Sequence, residues 1–164
     1  MLDAVIAGAT VVDGSGAEAF AADVGLRDGR IVSLDAPGRL DEPARTRIDA
    51  DGLMACPGFV DPHTHYDAQL LWDGGASPSG EHGVTTVVGG NCSFGLAPLD
   101  PADAAYTRQL LAKVEGMPDE ALAAGSDWSW NSFEDYLARF EGRLSVNAAF
   151  LVVHSQLRRL ELGA

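Results

Sequence analysis

The six residues Val84-Thr85-Thr86-Val87-Val88-Gly89 constrain the fold more than any other stretch of the chain. They are mostly β-branched, carry no charge, and lie between Gly83 and Gly90. A continuous run of this kind is expected of a strand buried on both faces of a parallel sheet. Two other apolar runs fit the same sheet, Phe59-Val60-Asp61 and Val146 to Val153. Helix signals lie between them. Asp100-Pro101 starts a helix, with proline at the first helical position, and the pattern continues to about Glu115 with Tyr106, Leu110 and Val114 on one face. Ser132 and Asp135 have capping-box spacing, which opens a second helix running to about Phe140. Strands alternating with helices predict βα units over residues 57–164.

Residues 1–56 have a different character. Ala4 to Val12 is a β-rich run ended by Asp13-Gly14-Ser15-Gly16. Ala22–Arg27 and Arg30–Leu34 flank Asp28-Gly29, a strong two-residue hairpin signal, and Arg45–Asp49 and Leu53–Cys56 flank a second such turn at Asp51-Gly52. No helical period appears, so this region is expected to be a small β-sheet or half of a β-sandwich. The fold class is therefore α/β. At 164 residues the chain can bury a real core. It is too short for a complete (β/α)₈ barrel, which typically needs ~250 residues.

Charge narrows the function classes. Eleven Lys+Arg against 24 Asp+Glu give a net charge of −13, which disfavours nucleic acid and anionic membranes as partners. Met1-Leu2-Asp3 does not open a signal peptide, no apolar run approaches the ~20 residues of a membrane helix, and two cysteines make no disulfide framework. The expected location is cytoplasmic.

The chemistry-bearing residues cluster after the apolar strands. His63 and His65 stand two apart directly beyond Phe59-Val60-Asp61. Strand residues i and i+2 share a face at roughly 6.6 Å, close enough for two imidazoles to converge on one metal ion. Cys92 follows the Val84–Gly89 strand in Gly89-Gly90-Asn91-Cys92. In parallel α/β folds the C-terminal strand ends line the active face, so its thiol would look into the same mouth as the histidines. His154, at the end of the third strand, and Asp67, just past the histidine pair, are candidate substrate contacts. Cys56, His82, Trp128 and Trp130 are expected to be structural, Cys56 by packing and the tryptophans in a helix connection. Lys113, the single lysine, sits on an outer helix.

Pro57-Gly58-Phe59-Val60-Asp61-Pro62-His63-Thr64-His65 resembles the first-strand signature of the amidohydrolase superfamily. His82 through Cys92 narrows the resemblance to its N-acyl-D-amino-acid deacylase (D-aminoacylase) branch, in which a cysteine after the second strand ligates zinc. Met117 to Leu122, Trp128, Trp130, Ser132 to Leu137 and Val152 to Arg158 are also similar to that branch. The resemblance implies a TIM-like barrel, present here in part, with a small β-sandwich built from both chain ends. It implies Zn2+, and hydrolysis of the linear amide of a small N-acyl-D-amino acid by a metal-activated hydroxide. His63, His65 and Cys92 match the family's metal positions. Its two later histidines and its general acid/base would lie beyond Ala164, so no catalytic acid/base is assigned here. The chain resembles the N-terminal third of such an enzyme and is expected to be inactive alone.

Two positions depart from the family pattern. Ser93 stands where glycine usually follows the ligand cysteine, which would cost on the order of 1 kcal/mol if that position needs positive φ. Val153 stands where glycine usually precedes the third-strand histidine, where a branched side chain could crowd the mouth. The alternatives are a hydantoinase-like cyclic-amide hydrolase of the same superfamily, and a non-catalytic, truncated metal-binding protein.

Overall fold

The computed structural model describes residues 1–163, which form two compact units, Met1–Pro57 and the residues from Gly58 onward. The first is a five-stranded sheet built around β1 (Leu2–Val11). Strand β2 (Phe20–Arg27) runs antiparallel to β1 and pairs in turn with antiparallel β3 (Arg30–Asp35). The hairpin forms at Asp28-Gly29 as expected, with positive φ at both residues (51° and 70°), as a type I′ turn requires.

The second expected hairpin does not form. A turn occurs at Asp51-Gly52, but β4 (Ala44–Asp49) and β5 (Met54–Ala55) do not pair with each other. Both run parallel to β1, β4 beside Leu2–Ala7 and β5 beside Thr10–Val11. The cause lies in β1, whose register with β2 shifts between Ile6 and Ala9 around Gly8 (φ 72°). The Ala50 N–H donates to the Ala7 carbonyl at 2.8 Å, and the turn carries the chain past the bulge instead of reversing it.

One buried carboxylate ties this unit together. Asp23 is 0 % exposed and accepts from the N–H groups of Gly8 (2.7 Å), Gly38 (2.9 Å) and Leu40 (3.4 Å). The Gly8 N–H in particular holds its carboxyl below the usual range. The apolar clusters are small: Ala9, Val11, Ala22, Val24 and Ala50 form one, and Leu2, Val5 and Leu40 the other.

The second unit contains a parallel three-stranded sheet in the order β6 (Phe59–Asp61), β7 (Val84–Gly89), β8 (Asn147–Phe150). Among the described residues four α-helices accompany it: α1 (Ala104–Val114), α2 (Asp119–Gly125), α3 (Phe133–Ala138) and α4 (His154–Leu162). The Ser132 capping box is complete, each partner accepting the other's backbone N–H at 3.0 Å. Trp128 and Trp130 are buried in the core, as expected. Their indole N–H groups donate to the carbonyls of Leu122 (2.8 Å) and Leu96 (2.7 Å), which removes the penalty of burying them unpaired.

Three expectations need correction here. The buried face of α1 is Ala104, Thr107 and Leu111, not Tyr106 and Val114, which are exposed. Tyr106 instead lies under the Arg159 guanidinium, 3.8 Å from its ring centroid, an amphipathic placement that a hydrophobic count cannot anticipate. The third strand ends at Phe150, not Val153, because Leu151 makes its last bond to the Gly89 carbonyl and Val153 becomes the residue before α4. Burial of the central strand is uneven: Val87 is buried, but Thr85 of β7 and Phe59 and Val60 of β6 are exposed.

Candidate metal centre

The strand order puts the loops after β6 and β7 side by side, and hydrogen bonds lock them together. The Val88 carbonyl, near the end of β7, accepts from the Thr64 N–H (2.9 Å), the Thr64 hydroxyl (2.9 Å) and the Asn91 amide (2.7 Å). The same Asn91 amide donates to the Thr64 carbonyl at 3.3 Å. Thr64, between the two histidines, is thus bound to the cysteine loop through one peptide oxygen and one side chain.

This lock brings together the three residues expected to converge. His63, His65 and Cys92 each offer a ligand atom within 4.8 Å of the others. The His63 Nε2 lies 3.2 Å from the Cys92 sulfur, and the two imidazole centroids are 5.5 Å apart. His63 and Cys92 are exposed and His65 is half-buried, so the cluster opens to solvent. Two nitrogens and a sulfur at this separation suit zinc, which takes histidine and thiolate at about 2.0–2.3 Å.

Backbone conformation aims the thiol. Gly90 (φ 78°), Cys92 (φ 54°) and Ser93 (φ 64°) all lie in the left-handed region. Glycine adopts this readily, whereas each of the other two costs about 1 kcal/mol. The departure at Ser93 is therefore a strained position, as expected if that residue needs positive φ. Neighbouring contacts hold the loop. The Ser155 hydroxyl at the start of α4 donates to the Ser93 carbonyl, and the Gln156 amide donates to the Gly95 carbonyl at 2.9 Å. Val153 does not crowd the mouth. It is 3 % exposed and packs toward Gly95, where an added Cβ would meet both Val153 methyls at 3.0 Å.

Asp67 is 6 % exposed and lines a small cleft together with His65. Burial pushes its carboxyl up to about 6, opposed by the Gly90 N–H and by His65. The Tyr136 hydroxyl, buried beneath, donates to the Asp67 carbonyl at 2.8 Å. His154 is exposed as the first residue of α4 and is not among the three converging ligands. Cys56 belongs to the other unit and is exposed, so its expected packing role is not what the structure shows: it lies just past the short β5, where the sheet no longer covers it. No described helix is long and apolar enough to cross a membrane.

One neighbour of the cluster carried no sequence signal. Glu115, at the C-terminal end of α1, places Oε1 3.1 Å from His65 Nδ1. Fifty positions separate the two residues, and nothing in the spacing marks the contact.

Residues 46–162 match the Amidohydrolase family. The D-aminoacylase of Alcaligenes xylosoxydans xylosoxydans is 40% identical over 158 residues, which cover 95% of this chain and 30% of that protein. A crystal structure of a D-aminoacylase superposes with a TM-score of 0.79 at 37% identity, covering 100% of this chain and 32% of that one. The N-acyl-D-glutamate deacylase of Bordetella bronchiseptica, solved with zinc and a phosphonate inhibitor that mimics the tetrahedral intermediate, gives a TM-score of 0.75 at 34% identity over 96% of this chain and 30% of that one. The chain thus spans about 30% of the length of the relatives it matches. With sequence match and superposition both extending across the histidine and cysteine loops, this chain belongs to the amidohydrolase family.

Proposed function

We propose that the protein carrying this chain is a zinc-dependent hydrolase of linear amides that deacylates small N-acyl-D-amino acids. The observation that carries the proposal is the convergence of His63, His65 and Cys92 within 4.8 Å at the ends of two parallel strands. The second unit would then be the opening of a (β/α) barrel. Support for the substrate class comes from relatives named D-aminoacylase and N-acyl-D-aspartate deacylase, each 40% identical to this chain.

His63, His65 and Cys92 would hold the zinc. When bound, it supplies Lewis acidity toward the amide carbonyl and toward water. The residues of this chain do the rest locally. The Asn91–Val88–Thr64 lock fixes the distance between the histidine and cysteine loops. His154, which is exposed, and Asp67, which is buried beside His65, are the candidates for substrate contact. The further ligands and the general acid/base would be supplied from outside these 164 residues.

The test compares Cys92→Ala with Cys56→Ala in the full-length protein. Zinc content and release of free amino acid from N-acetyl-D-amino acids should collapse in Cys92→Ala and remain near wild type in Cys56→Ala. Equal zinc loss in both variants, or zinc-dependent turnover that survives in Cys92→Ala, would remove Cys92 from the site.

A further inference from the structure

We infer that Glu115 is a positioning residue for His65: its carboxylate accepts the His65 Nδ1 proton, which fixes the ring orientation and leaves Nε2 free to ligate. This rests on the metal-site reading above, but it is carried by separate observations.

The first is geometric. Glu115 Oε1 lies 3.1 Å from His65 Nδ1, with the two side chains 17 % and 34 % exposed. An imidazole presents one nitrogen to a metal and uses the other to bond a carboxylate or carbonyl, and that second bond sets the tautomer and raises the basicity of the ligating nitrogen. With Nδ1 committed to Glu115, Nε2 is the His65 atom left to share with His63 and Cys92.

The second concerns where Glu115 sits. It is the C-cap of α1, its N–H bonded to the Leu111 carbonyl at 2.7 Å. A helix C-terminus carries partial negative charge and favours cations, so a carboxylate there is at its least favourable end. Lys113 supplies the cation that the last turn prefers. Glu115 does not extend into solvent to relieve the conflict. It turns inward, beside a small cavity of about 10 Å³ lined by His65, Asp67, Phe94, Leu111 and Met117. The contact is direct, at 3.1 Å, and both side chains are partly buried.

The third is the anchoring of Glu115. Leu111, one turn before it, is 6 % exposed within the core, so the carboxylate is borne on a packed helix and not on a free loop. A rigidly held carboxylate behind a ligand histidine restricts the ring more than one on a mobile side chain.

The experiment uses the full chain with ¹⁵N-labelled histidine, the His65 ring signals being assigned with His65→Ala. In metal-free wild type the neutral His65 ring should carry its proton on Nδ1. Glu115→Ala should move it toward Nε2, the form a free imidazole prefers. Glu115→Gln keeps an acceptor oxygen but adds a competing N–H donor, so its tautomer balance should fall between those of wild type and Glu115→Ala. Cobalt(II), titrated as a spectroscopic probe, should bind about tenfold more weakly to Glu115→Ala, with an altered visible spectrum, and lose less in Glu115→Gln. Exposed Glu120→Ala is the control and should match wild type in both readouts.

An unchanged tautomer together with unchanged cobalt affinity in Glu115→Ala overturns the inference. If Glu115→Ala fails to fold, wild type decides: a neutral His65 ring with its proton on Nε2 there overturns the inference as well. Wild type that binds no cobalt overturns the metal-site reading, and the ring tautomer still reports separately on the Glu115 contact.

Discussion

In the N-terminal unit a carboxylate draws the backbone together; in the second unit aromatic rings do. Asp23 collects three backbone N–H groups from two separate segments, among clusters made mainly of alanine, valine and leucine. The second unit packs Trp128, Trp130, Tyr136, Phe140 and Phe150 against one another, with neighbouring ring centroids 4.9–5.5 Å apart. The two arrangements have different reach. The contacts of Asp23 lie 15 to 17 residues away, whereas the Tyr136 hydroxyl bonds the carbonyl of Asp67, 69 residues distant. Apolar surface also differs. In the first unit Ile31, Val32 and Leu34 of β3 are about half exposed or more, and Ile31 and Leu34 line a hollow of about 290 Å³ with Ile6, Val24 and Leu26. A small sheet with so little buried apolar area relies on its polar tie, while a unit with a large aromatic core can spend strain on a loop. Part of that strain lies at the candidate metal site, at Cys92 and Ser93, and the rest at Ala76 and Trp128.

The largest effect that would test this contrast is loss of the aromatic keystone. Tyr136 is 1 % exposed and contacts Trp130, Phe133, Phe140 and Phe150. Tyr136→Ala should destabilise the second unit by about 3–5 kcal/mol, in the range of buried aromatic truncations. Tyr136→Phe removes only the bond to Asp67 and should cost about 1 kcal/mol. Hydrogen exchange should show protection falling in β6–β8 while β1–β4 keep theirs. Equal loss in both sheets would mean that the units do not unfold separately.

Next in size is the polar tie. Asp23→Ala leaves three N–H groups without their acceptor and should destabilise the first unit by about 2 kcal/mol, read from its denaturation midpoint. The pH dependence has a definite sign. Because the folded pKa is lowered, the contribution of Asp23 is fully present above its unfolded value of about 3.9 and is lost as pH falls through the folded value. Wild type should therefore lose stability in that acid window and Asp23→Asn should lose less. Parallel acid profiles would show that Asp23 is not the controlling carboxylate.

The same contrast explains what could be read from the sequence. Turn chemistry is local, so Asp28-Gly29 announced its hairpin, and the Ser132 capping box announced α3. The turn at Asp51-Gly52 misled because its outcome depends on β1, more than forty positions upstream, where Gly8 breaks the register. The faces of α1 were misread for a similar reason: Tyr106 finds Arg159, a partner that no periodicity within the helix can contain. At the site, His63, His65 and Cys92 were legible because each directly follows a recognisable strand. Asn91 stood beside them with no assigned task, since its bonds go to the carbonyls of Val88 and Thr64, which leave no mark in side-chain identity. Glu115 was illegible because its tie to His65 is made by tertiary packing alone.

The smallest effect tests whether the strained loop is tolerated or required. Ser93 has φ 64°, and the Ser155 hydroxyl bonds its backbone carbonyl, which any residue provides. No described hydrogen bond uses the Ser93 side chain, so glycine keeps the known contacts and removes the clash between Cβ and backbone. Relief is worth up to about 1 kcal/mol, reduced by the larger entropy of glycine in the unfolded chain. Ser93→Gly should therefore raise the melting temperature by no more than about 2 °C, given about 2–4 °C per kcal/mol for a chain of this size. Cys92 cannot be relieved in the same way, because its φ of 54° comes with the thiol that points at His63. If Ser93→Gly stabilises the fold while leaving cobalt affinity unchanged, the strain at Ser93 is incidental and the aim of the thiol is set by Gly90, Asn91 and Ser155. If affinity falls as stability rises, the serine stiffens the loop that presents Cys92, and the aromatic core is what keeps that stiffness in place.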